Sequence, residues 1–519
     1  MGAVAEEEVV LVRRSRLVLG LALAALVVTA APTSAAPGFV TRQTPMLTLG
    51  PGAPPKSSLT PLISSGDTLG GFTFEGIPDG IGFAPGRKHT VDVFVNHEQS
   101  QVPFLGLADF QDASVSRLNI RPSSRRILAA SVAIPPSAGF IRFCSATMAG
   151  PADGFDRYVF LTNEESDDDL AVPPGAPYGP DPALAPNREA GYSVALDVAT
   201  GAYATLPGVG RMNHENTVVV PGGWDDQTVA LTGDDTFVAP SSQLYEYAAA
   251  TPDDLVADQG TLYGFRVTAT QNGSVDPLDP FNGANDYGDI VVGDDWQGEF
   301  IPVPDDVADG TTSLAPQAGL EQWSNENNVF QFIRVEDIAY DKNDPNVVYF
   351  ADTGEPRAVP DPATGRLMRG PSGTMGPYPN GRVYRMELDP ADPQQVLSFS
   401  ILLDNDLGGY NNPDVMHQPD NVGTSANSLM VQEDSHQPPN SRIWRYDLAT
   451  QTWSVVASVL DIEWESSGIV DASSAFGPGT WLVDVQAHNV FVDEDTTSVP
   501  GVTLKREGGQ LLLLRLPGS

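Results

Sequence analysis

Carboxylates, imidazoles and one thiol stand in this chain where short apolar runs end. The triplet Asn-His-Glu occurs twice, as Asn96-His97-Glu98 and as Asn213-His214-Glu215, in a chain with only 6 histidines. A carboxylate beside an imidazole suits a metal or phosphate site. Doubled acids recur in the same setting: Glu164-Glu165, Asp234-Asp235, Glu336-Asp337 and Glu433-Asp434. Such pairs supply the several oxygens that calcium takes. The only cysteine, Cys144, lies in GFIRFCSATMAG. Two readings of it stay open, a small buried apolar residue or a thiolate ligand to a transition metal softer than calcium.

These groups need elements that bring them together. The chain has 50 Gly and 45 Pro, spread throughout, and short β-rich runs bounded by Gly, Pro, Asn and Asp. The pattern is all-β. One type of strand ends in acidic or imidazole groups, as in VDVFVNHE, YVFLTNEE, QTVALTGDD, NVVYFADTGE and SLMVQED. A second type follows many of these with aromatic or apolar alternation, as in QLYEY, GRVYRMELD and SRIWRYDL. The recurrence predicts a β-propeller of about six blades, with irregular insertions near 270–330 and 353–380. A pair of β-sandwiches accounts for the strands but not for the repeated acidic ends. In a propeller, equivalent strand ends converge on the central channel, where like charges repel unless cations neutralise them.

The order of motifs resembles the PhoX-type alkaline phosphatases, secreted metal-dependent propellers. The resemblance covers roughly residues 75 to 510. It rests on PDGIGFAPG followed by FVNHE, FCSAT followed by FLTNEES, GRMNHEN, LTGDD before LYEY, IRVEDIAYD and HQPDNVG. It implies an iron- and calcium-dependent hydrolase of small phosphorylated substrates. Glu98, Cys144, Glu164, Glu165, Glu215, Asp234, Asp235, Glu336, Asp337 and Glu433 are the implied metal ligands or their supports. Glu98, Cys144, Glu215, His214 and Arg211 are the implied catalytic groups, with Arg334 as a further substrate contact. The chain departs from the family at SATMAGPADGFDRYVF, at Asn163 and through residues 464–488. A calcium-dependent propeller hydrolase of another class, phytase-like or lactonase-like, and a non-catalytic calcium-stabilised binding propeller remain alternatives.

The formal net charge is −39, from 28 Lys+Arg against 67 Asp+Glu. That sign opposes nucleic acid and anionic membrane as partners. Residues 1–36 read as a signal segment, with Arg13-Arg14 before an apolar run over 17–28 and small residues after it. The run is too short to span a bilayer. The expectation is a protein exported by the twin-arginine route, with no membrane span after cleavage and monomeric. Its organisation would be signal segment 1–36, extension 37–74 and propeller 75–519. One cysteine allows no internal disulfide, so something other than crosslinks must hold the chain together. No P-loop, C-x-x-C, H-E-x-x-H or G-x-S-x-G motif is present.

Overall fold

Four-stranded antiparallel meanders follow one another along the chain. In the computed structural model, residues 38–98, 102–104, 113–167, 169–171, 187–236, 242–311, 315–361, 366–435, 437–495 and 503–519 are described. The signal segment lies outside them. The first meander is Pro78–Pro85, Val91–His97, Ser114–Arg121 and Arg126–Ile134. The second is Phe143–Ala149, Val159–Glu164, Ser193–Asp197 and Tyr203–Leu206. The third is His214–Val220, Thr228–Asp234, Leu244–Ala249 and Thr261–Thr270. The fourth is Val335–Tyr340, Val347–Asp352, Arg382–Asp389 and Asp392–Asp404. Trp296–Pro302 pairs with the outer strands of the third and fourth, so these two share one sheet. The fifth is Pro419–Thr424, Ser428–Glu433, Arg442–Asp447 and Thr452–Val459. The last has inner segments Trp464–Glu465 and Ile469–Asp471, then Thr480–Asp495 and Thr503–Arg515.

Residues 38–74 contribute strands to these sheets. Leu47–Leu49 pairs with Thr452–Val459, and Ser58–Ser64 pairs with Thr503–Arg515. The outer edge of the last meander is thus supplied by the start of the described chain, which ties its two ends together.

The innermost strands neighbour one another in cyclic order, and Ile469–Asp471 returns to Pro78–Pro85. This is the propeller arrangement. Its cohesion comes from apolar layers between consecutive meanders. Phe94 shares one buried cluster with Phe143 and Phe160, Val159 and Leu161 share one with Ala230 and Tyr245, and Leu231 shares one with Ile338 and Val348. Tyr349 shares a cluster with Leu429 and Val431, Met430 with Trp481, and Leu482 with Val93 and Val95. Both faces of each second strand are covered, so VDVFVNH and TVALTGD read as nearly unbroken buried runs.

Candidate metal centre

Five inner strands share one irregularity. Each has two residues opposite one on its partner strand, immediately after its first residue. The register jumps between Pro78 and Ile81, Phe143 and Ala146, His214 and Thr217, Val335 and Ile338, and Pro419 and Val422. Such bulges re-aim a side chain out of the alternating pattern. The first bulged residues are Asp79, Cys144, Glu215, Glu336 and Asp420. The chain enters three of these strands through a left-handed residue, Ile77 at φ 42°, Arg142 at φ 37° and Gln418 at φ 49°. For a β-branched residue such as Ile77 this is a strained conformation.

The bulged residues meet a second set that follows the second strands. Four overlapping triads have ligand atoms within 4.8 Å of one another: Asp79–Glu98–Cys144, Cys144–Glu165–Glu215, Glu215–Glu336–Asp420 and Asp420–Asp434–Glu465. Together they form a chain of nine groups drawn from every meander. Cys144 Sγ lies 3.2 Å from Asp79 Oδ2. Gln486 Nε2 donates to Asp79 Oδ2 at 2.9 Å and to Glu98 Oε1 at 2.7 Å.

Burial and mutual repulsion oppose the charged forms of these acids. Burial raises the pKa of Asp79, Glu165, Glu215, Glu336, Asp420 and Glu465 well above the carboxylate range, and neighbouring acids add to it. Burial pushes the Cys144 thiol up, with Asp79, Glu215, Glu165 and Glu98 contributing. Asp79 Oδ1 and Glu215 Oε1 are buried without a hydrogen-bond partner. Glu336 Oε1 also lacks a hydrogen bond; Arg334 Nη2 is 3.1 Å away, but only as an ion pair. Buried acceptors are rarely left unmatched. Carboxylate oxygens with one thiol fit a mixed set of hard and softer cations.

Cations of the protein itself border the chain of acids. Arg334 makes a bidentate pair with Asp235, at 2.7 and 2.8 Å. Arg142 Nε stands 3.9 Å from Glu98 Oε2. His488 lies 3.3 Å from Glu465 and 3.8 Å from Glu507. Burial opposes its charge, but the hydrogen bonds to Glu465 and Glu507 prevail and push its pKa up to about 11.

The doubled residues of the sequence divide their labour. In each pair after a second strand, the first member latches the protein and the second faces the cluster. Glu164 accepts from the backbone of Ile141 at 2.9 Å and of Tyr192 at 3.2 Å. Glu433 accepts from the His417 backbone, the Arg442 backbone and guanidinium, and Trp444 Nε1. Asp234 accepts from Thr236 and Gln317. His97 contacts Gly76 O at 3.1 Å and Ser116 at 2.7 Å. Their successors Glu98, Glu165 and Asp434 belong to the triads, and Asp235 pairs with Arg334 beside them. Asp337 accepts the Val422 and Ile338 amides, and burial raises its pKa to about 7. His214 bridges Thr232 and Gly210 O, with a pKa lowered to about 4 by burial. Arg211 donates to Ala190 O and stacks 3.7 Å over Tyr192. None of these last three belongs to a triad.

Packing holds the ring tight at this end. Asn96 Nδ2 donates to Cys144 O of the next meander, and Asn163 Nδ2 to Glu215 O at 3.3 Å. A Cβ on Gly80 would meet Ala146 N at 2.3 Å. The helix Pro316–Glu326 braces the third meander, since Gln317 accepts from the Asn213 amide and donates to Asp234.

No family model matches the chain, and no curated protein matches it. Among solved structures, Pseudomonas fluorescens PhoX in complex with vanadate, a transition state analogue, matches with TM-score 0.58 at 17% identity. That match covers 92% of this chain and 97% of the other. The fold is PhoX-like. The catalytic domain of Coprinopsis cinerea GH62 α-L-arabinofuranosidase matches at TM-score 0.31 and 10% identity, over 91% of this chain and 98% of the other.

Asp79, Asp420 and Glu465 were not singled out from the sequence as ligands, and Asp434 only as the second member of the pair Glu433-Asp434. Asp79 and Asp420 carry a usable signal. The inner strands begin Pro-Asp-Gly-Ile, Phe-Cys-Ser-Ala, His-Glu-Asn-Thr, Val-Glu-Asp-Ile and Pro-Asp-Asn-Val. A ligand-type residue stands second in each, followed by a small or polar residue.

Proposed function

We infer that the protein is an exported, metal-dependent phosphate-ester hydrolase of small phosphorylated substrates. The observation that carries this is the buried chain of nine carboxylate and thiol groups, with unmatched acceptor oxygens, at one end of a PhoX-like propeller. Calcium suits the all-carboxylate part. Iron suits the part around Cys144, where Asp79, Glu98, Glu165 and Glu215 complete the donor set. Lewis-acid neutralisation of phosphoryl charge, and activation of water, is the chemistry that cations supply at such a site.

The residues of the chain prepare that chemistry. The bulges fix the donors on rigid strands, and Gln486 orients Asp79 and Glu98 from behind. Arg142 and Arg334 stand beside the acids and present positive charge to an anionic ester. Asp235 holds the Arg334 guanidinium by two bonds, which fixes its direction. Arg13-Arg14 and the apolar run after them support export of a folded, metal-loaded protein.

The reading is tested by elemental analysis of the purified protein with a p-nitrophenyl phosphate assay before and after chelation. Bound calcium and iron, and hydrolysis that chelation abolishes and metal restores, are expected. Absence of both metals together with absence of hydrolysis would overturn it.

A further inference from the structure

The second strand of the last meander does not stop at the acids. Within Thr480–Asp495, Gln486 bonds Asp79 and Glu98 and His488 faces Glu465, and the strand then runs on to Asp495. The chain returns as Thr503–Arg515, and Val102–Phe104, just after Glu98, pairs with Thr503–Lys505. The hairpin register breaks between Ala487 and Phe491, so that His488, Asn489 and Val490 have no cross-strand partner, and Asn489 adopts φ 63°. A bulge bends its strand and re-aims the side chains beyond it. A short three-stranded platform is thus carried past the acids.

Phe491 faces the acids from that platform. It stands directly opposite Glu507, and directly opposed residues of an antiparallel pair carry their side chains on one face. The Glu507 carboxylate marks which face this is. Its Oε1 accepts the Asn489 amide at 2.9 Å, and its Oε2 lies 3.8 Å from His488 Nδ1. His488 Nε2 is in turn 3.3 Å from Glu465, which ends the chain of acids. The Phe491 side chain is large and apolar, yet 38% exposed. Lys505 Nζ stands 4.9 Å from its ring centroid and brings a positive charge to the same place.

A phosphate ester bound through its phosphoryl group leaves its organic part outside the cluster. Carboxylates and a thiol offer that part no aromatic surface, whereas Phe491 does. We propose that Phe491 determines specificity by stacking on the organic part of the ester, so that the protein favours phosphate monoesters of ring-bearing alcohols over those of small aliphatic alcohols. The proposal rests on the hydrolase reading and names its substrate class.

The test compares 2-phenylethyl phosphate with ethyl phosphate on the metal-loaded protein. Both release a primary alcohol, so they differ in the ring and not in the bond broken. The parent should favour the ring-bearing ester through KM. Phe491→Ala should raise KM for 2-phenylethyl phosphate about three- to tenfold, the range of one aromatic contact. It should leave kcat, and both constants for ethyl phosphate, within about twofold, the mark of lost uniform binding. Phe491→Trp should keep the preference. Calorimetric binding of 2-phenylethylphosphonate, which has no ester bond, should weaken by the same factor in Phe491→Ala, and that of ethylphosphonate should not. Hydrolysis with equal effects of Phe491→Ala on both esters, or with no effect on either, would overturn the proposal alone. Absence of hydrolysis of either ester by the parent would overturn the hydrolase reading, and the proposal with it.

Discussion

Glu164 and Glu165 are neighbours in sequence with opposite jobs, and glutamine at each separates those jobs. Glu164 is buried, and its two oxygens accept the Ile141 and Tyr192 amides. In Glu164→Gln an NH2 replaces one of those acceptors and faces a backbone N–H. One bond to a carboxylate is lost and one buried donor is stranded, at a cost of about 2–4 kcal/mol. Glu165 stands among acids, with its pKa raised by burial and by Asp235, against the pull of Arg142. Glutamine there mimics the protonated acid and can still donate to Asp235. Glu165→Gln therefore leaves the metal-free protein as stable as the parent, or up to ~1 kcal/mol more stable. The assay is urea unfolding in chelator, paired with metal-to-protein ratios measured after reloading. Glu164→Gln should lose stability and keep its metal ratio once folded. Glu165→Gln should keep stability and lose metal. If both lose metal equally with no difference in stability, the division into latch and ligand is wrong.

Three further outcomes follow from the geometry. Gly80→Ala pushes a Cβ to 2.3 Å from Ala146 N, so two inner strands must part; a stability loss of about 2–4 kcal/mol by denaturant titration is expected. Asp420→Asn should lower metal content without lowering metal-free stability, which elemental analysis and urea unfolding check together. His214 is neutral when folded, with a pKa of about 4 against an ordinary value of 6.5. Its folded pKa is depressed, so the unfolded chain takes up the proton first and stability falls as pH drops from about 6.5 towards 4. Between pH 7 and pH 5 its share is about 2 kcal/mol. In chelator, His214→Asn should therefore lose less stability over that interval than the parent, by about that amount.

Much of the fold was legible because its cause is local. Short runs such as VDVFVNH and TVALTGD declare strands through composition and bounding turns, and their recurrence declares a repeated unit. The contribution of Leu47–Leu49 and Ser58–Ser64 was not legible, since their partners lie more than 400 residues away. The site was legible as a place more than as a residue set. The repeated acidic strand ends did mark the end of the channel where the carboxylates and Cys144 gather. Yet the most regular of them, Glu164, Asp234 and Glu433, accept hydrogen bonds from the protein itself. For Glu164 and Glu433 the regularity reflects a repeated backbone need, the amides of Ile141 and His417 at the entry to an inner strand. The groups that face one another stand one residue later or on the bulges. A bulge shifts a side chain by one position against the alternation, and alternation is what a reading of strands relies on. Asp79 and Asp420 were hidden for that reason, inside motifs already noted.

Diffraction from crystals of the metal-loaded protein, with anomalous maps recorded across the iron edge, tests the central claim most directly. The account predicts iron within ~2.0–2.6 Å of Cys144 Sγ and neighbouring carboxylate oxygens, with calcium further along the chain towards Asp420 and Glu465. Metal density absent from all nine groups, or confined to the outer surface, would contradict it.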